Sequence, residues 1–147
     1  HPHHHFIFRA LSKGFMLGVP AGGTPYSDIV DVVEAHLNAI QSGGAGERYS
    51  LVSANLSYKE AGELFASIYS CRPPLVILPP AFVTFAGQFA EEILPIFGIK
   101  TALTRQVAYL SNHKIFFDCK KAAVELNFKP TPFADTIRRT ASYYLQS

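Results

Sequence analysis

The 147-residue chain has no tryptophan, one methionine and two cysteines. Cys71 and Cys119 cannot make a disulfide framework, and their separation is not a metal-ligand pattern. They read as reduced thiols of a cytoplasmic protein. Charge is sparse as well, at 16% of residues with a net charge of +2. The densest basic cluster is Lys114, Lys120 and Lys121, so the balance argues against a nucleic-acid partner. A clean apolar run is also missing. The longest uncharged stretch, the 18 residues from Pro73 to Ala90, contains Pro73, Pro74, Pro79 and Pro80. A membrane helix tolerates such prolines badly, so no membrane span is expected. No signal peptide is visible. Cys71, Cys119, His36 and His113 form no motif that pairs a nucleophile with a base.

What is present is a core-forming composition, 48% hydrophobic, which excludes general disorder and suits about one domain. The chain begins at His1 rather than Met, which leads us to expect a missing upstream part. His1, His3, His4 and His5 read as a tag remnant or a polar loop. No Cys or carboxylate lies near them at ligand spacing, so no metal is expected.

Phe6 to Lys13 reads as the end of a helix closed by Gly14. A Gly/Pro-rich loop follows. Tyr26 to Val30 reads as strand, and Asp31 with Glu34 as a capping box opening a helix that ends at Gly43-Gly44. The glycines at 43–46 follow a helix and precede a strand, the wrong order for a dinucleotide cradle. Arg48 to Ser53 is a predicted strand. Ser57 with Glu60 is a second capping box, for a helix through Tyr69. Leu75 to Leu78 is an apolar run suited to a strand buried on both faces. Ala81 to Phe97 is a predicted helix with Phe82, Phe85, Phe89, Ile93 and Ile96 at core spacing. A helix over Thr104 to Asn112, a strand over Lys114 to Asp118 and a helix from Asp118 through Leu126 follow, with Asn127 in the left-handed position. Thr131-Pro132 caps a last helix through Leu145.

This alternation predicts an α/β fold, with the two apolar strands parallel and joined by a crossover helix. Two such strands leave open edges, so the chain reads as part of a larger sheet.

Three blocks carry a resemblance. They are GGT-x-Y-x-D-x-x-D-V-x-E-A-H (Gly22 to His36), GERY-x-L followed by NLSYKE (Gly46 to Glu60), and FFD-x-x-KA-x-x-EL-N-F-x-P (Phe116 to Pro130). In order and spacing they resemble the C-terminal half of extended short-chain dehydrogenase/reductases, the NAD-dependent epimerase/dehydratase family. Within it the chain looks most like the dihydroflavonol-reductase-like or hopanoid-associated sugar-epimerase-like branch. It is less similar to the UDP-galactose epimerase branch, whose phosphate-gripping arginine is here Thr24.

The resemblance implies the C-terminal part of a Rossmann-type parallel sheet plus a small, mostly helical substrate-binding domain, with the first half of the sheet absent. The chain is then one incomplete α/β unit over 1–147. Residues 1–5 would be tag or loop, and 6–31 the substrate-side helix, loop and short strand. Residues 32–80 would be the last helices and strands of the nucleotide-binding sheet, and 81–147 the helical substrate-binding part. The family uses NAD or NADP on a glycine-rich turn, and a tyrosine with a lysine four residues later as its acid/base pair. This chain has neither, so no catalytic or cofactor-binding residue is expected in it, and none of its own activity. The implied partners are the missing nucleotide-binding half and a small-molecule substrate, touched by Thr24, Tyr26, Met16 and Arg105. The alternative is a non-enzymatic binding or assembly module, a homodimer paired through its open sheet edges.

Overall fold

The computed structural model describes residues 18–99, 101 and 103–145. The predicted helix end at 6–13 and Met16 lie outside the described residues. Described in chain order are β1 (Gly18–Val19), β2 (Gly23–Tyr26), α1 (Ile29–Ser42), β3 (Ala54–Ser57), α2 (Tyr58–Tyr69), β4 (Val76–Ile77) and α3 (Pro80–Ile93). A 3-10 turn (Leu94–Phe97), α4 (Arg105–Ser111), α5 (Lys120–Glu125) and α6 (Phe133–Leu145) complete them. The described residues are thus mixed α/β, with six α-helices. None of these helices is long and apolar enough to cross a membrane.

The chain divides into two compact units, His1–Thr24 with Ser57–Ile115, and Pro25–Leu56 with Phe116–Ser147. The first holds the parallel pair, β1 with β4, in the register Gly18 to Val76 and Val19 to Ile77. The predicted parallel partners at 48–53 and 75–78 are not paired. The strand expected at Arg48 to Ser53 forms later, at Ala54–Ser57, and joins β2 instead of β4. Ser53 N–H donates to Tyr26 O (2.8 Å) and Tyr58 N–H to Gly22 O (3.1 Å), which sets β2 and β3 antiparallel. β4 is also not buried on both faces, since Leu75, Val76 and Ile77 are 70%, 55% and 51% exposed. Its prolines cut it to two residues, too short to be covered as a central strand. The strand expected at Lys114 to Asp118 is reduced to a single parallel bridge, Lys114 to Gly23.

Within the first unit, α2 opens with the predicted Ser57–Glu60 capping box and closes at Ser70, which is left-handed at φ 52°. α3 packs on α4 through small residues. Val83, Gly87 and Ala90 face inward with Ala108, which is fully buried. A Cβ on Gly87 would lie 2.4 Å from that of Ala108. The close approach reverses the expected amphipathy, because Phe82, Phe85 and Phe89 are left outside rather than in the core.

The second unit packs α1 against α5 and the chain after it. Ala35, Ala122 and Phe128 form its apolar centre, edged by Tyr49, Leu51 and Cys119. Asn38 donates from Nδ2 to Leu126 O at 2.9 Å. Asn127 is left-handed at φ 50°, as its position after α5 predicts. The cap of α5 differs: Cys119 holds the N-cap place with no side-chain bond, and Asp118 Oδ1 accepts from Lys120 N–H at 2.7 Å.

Candidate functional site

The cap of α1 is the first correction at residue level. Asp28, not Asp31, is the N-cap, and its Oδ1 accepts from Val30 N–H at 2.8 Å. Helix geometry then places Asp31 one turn in, facing inward. Asp31 accepts from Ser53 Oγ (3.1 Å), from Thr131 N–H (2.6 Å) and from Thr131 Oγ1 (2.6 Å). Thr131 therefore ties its hydroxyl to Asp31 instead of capping α6. The carbonyl of Pro132 accepts from Thr136 N–H at 3.3 Å.

Asp28 is fully buried. Its Oδ2 accepts from Thr136 Oγ1 (2.6 Å) and from the Arg139 guanidinium. Burial alone would raise its pKa. The bonds from Thr136 and Val30, with the Arg139 charge, outweigh that and hold the carboxyl below the usual carboxylate range. Sequence reasoning missed this pair of acids and its cation. The D-x-x-D spacing was a signal that two caps one turn apart were available.

Tyr26 closes β2 in the same unit, half-buried, with its ring 4.5 Å from that of Phe133. Thr24 stands two residues earlier on that strand. In the first unit the strand's start is clamped by backbone bonds. Gly22 N–H donates to Ser111 O (3.0 Å) and Gly23 N–H to His113 O (3.1 Å). A Cβ at Gly22 would come within 2.3 Å of Ser111 O, so only glycine fits. Thr24 is thereby held half-buried at a fixed height on the strand.

Arg105 stands at the start of α4. A groove of about 610 Å³ is lined there by Thr84, Glu91, Thr104, Arg105, Gln106 and Tyr109. A hollow of about 540 Å³ shares Glu91 and Thr104 with it. Arg105 N–H donates to Glu91 Oε2 at 2.6 Å, and its guanidinium to Glu92 Oε1 at 2.7 Å. The Arg105–Glu92 pair is half-exposed on both sides, so it is weak and can yield to an anionic ligand. The Tyr109 and His113 rings lie tilted against each other with centroids 4.4 Å apart, and His113 Nδ1 meets Tyr109 O at 2.8 Å. The groove is lined by two threonine hydroxyls, an amide, a guanidinium, the Glu91 carboxylate and an exposed phenol ring.

Among the described residues, neither glycine cluster is placed as a dinucleotide cradle. Gly43–Gly46 leave the end of α1, and Gly22-Gly23 enter a strand; neither leads from a strand into a helix N-terminus. Among the described residues no group of three or more His, Cys, Asp or Glu could hold a metal ion.

A scan of protein-family models gives no match to the chain. Comparison with curated proteins gives none either. Solved structures do match. One is gox2253, with a TM-score of 0.78 and 25% identity over 98% of this chain. Another is PA4631, a nucleoside-diphosphate-sugar epimerase from Pseudomonas aeruginosa, with a TM-score of 0.70 and 22% identity over 99% of this chain. The chain spans less than half the length of both, 44% and 43%. Its fold is therefore similar to part of an epimerase fold.

Proposed function

We propose that this chain is the substrate-side, C-terminal portion of an NAD(P)-dependent oxidoreductase acting on a carbonyl or hydroxyl group, a reductase or sugar epimerase of the extended short-chain dehydrogenase type. The observation that carries the reading is one of coverage. Nearly all of this chain superposes on less than half of two larger proteins, one of them described as a nucleoside-diphosphate-sugar epimerase. The three sequence blocks support the same reading. Under it the chain completes a Rossmann-type sheet, and the glycine-rich turn and the Tyr/Lys pair belong to the other half. NAD or NADP is held there, the isolated chain is inactive, and the whole works in the cytoplasm. Thr24, Tyr26, Met16 and Arg105 contact the small-molecule substrate. In the absence of an arginine at Thr24, a hydroxyl rather than a guanidinium meets the ligand, which favours an uncharged group at that point.

The test is the coding sequence upstream of His1. The expected result is an in-frame extension with a GxxGxxG turn and a Tyr-x-x-x-Lys pair. The full protein then oxidises or reduces a nicotinamide cofactor or epimerises a sugar, and Thr24→Ala raises KM with kcat little changed. A start codon directly upstream, or NAD(P)H turnover by the 147 residues alone, overturns the reading.

One observation favours a second reading, a non-enzymatic assembly module pairing through sheet edges. β4 leaves Leu75, Val76 and Ile77 more than half exposed. A self-association abolished by Ile77→Lys supports it; a cofactor-binding longer chain sinks it.

A further inference from the structure

We draw no further inference here: the strongest candidate, the exposed apolar face that Phe82, Phe85 and Phe89 give to α3, carries none, since nothing in the structure shows what covers it.

Discussion

Asp28 gives the sharpest test of how this sequence holds its fold. It is fully buried, and one carboxylate serves the α1 N-terminus through Oδ1 and the α6 side chains Thr136 and Arg139 through Oδ2. Asp28→Ala removes the cap, which costs about 1 kcal/mol. It also removes a hydrogen bond to a charged group, about 1.5 kcal/mol. The Arg139 side chain is 50% exposed and regains water, so its share is kept to about 0.5 kcal/mol. The total is about 3 kcal/mol. Asp28→Asn keeps the Val30 bond but turns an N–H toward the Arg139 donors, so about 2 kcal/mol is expected. With a urea slope of about 1.5 kcal/mol/M, the midpoints fall by about 2 M and about 1.3 M. The pH dependence has a fixed sign. The folded pKa is depressed, so the contribution is complete above the unfolded value of about 3.9 and is lost as pH falls through the folded pKa. The gap between wild type and Asp28→Asn should therefore be flat from pH 6 to 8 and shrink below pH 4. An Asp28→Ala loss under about 0.5 kcal/mol, or a gap that grows on acidification, would refute the reasoning.

Other consequences are local. Gly22→Ala should lower stability by about 2–3 kcal/mol in a thermal melt, because its Cβ meets carbonyl oxygens at 2.3 and 2.4 Å that belong to backbone and cannot move aside. Gly87→Ala gains about 1 kcal/mol of helix propensity but must part α3 from α4, so a net loss is expected and a gain would show the helices free to separate. Ser57→Ala breaks a cap whose hydroxyl accepts from Glu60 N–H at 3.2 Å, and should cost about 1 kcal/mol by urea titration. Leu37→Glu on the outer face of α1 should leave the melt within about 0.5 kcal/mol and raise the solubility limit.

Local signals in the sequence were read well and long-range ones less so. The Ser57–Glu60 box and the left-handed Asn127 each depend on a few neighbouring residues, and both form. The strand at 54–57 was misplaced because Arg48 to Ser53 alternates as well as Ala54–Ser57 does, and pairing with β2 decides between them. Asp28 and Asp31 lie one helical turn apart, so either could cap; the inward role of Asp31 needs Thr131, a hundred residues away. On α3 the period located the helix but not its buried side. Hydrophobic spacing assumes that large residues face inward, and it carries no term for Gly87 and Ala90 allowing a close approach. The candidate groove was legible only through Arg105, since Glu91 and Tyr109 reach it by packing.

The same inversion recurs outside α3. On α1 the inward residues are Asp31 and Ala35, while Val30, Val33, Leu37 and Ile40 face out at spacings of three, four and three. Six of the thirteen buried apolar residues described are alanine, and one of the four largest fully buried side chains is Asp28. Alanine contributes little transfer free energy, and each buried carboxylate costs desolvation before its bonds repay it. A chain that depended on its own core would place its leucines and phenylalanines there. Here the inner contacts are spacers and polar fasteners that set helix positions. The apolar surface available for burial is on the outer faces of α1, α3 and β4. Each contributes fully only when another surface covers it. That distribution agrees with the function proposed above and with a chain that spans less than half the length of its structural neighbours.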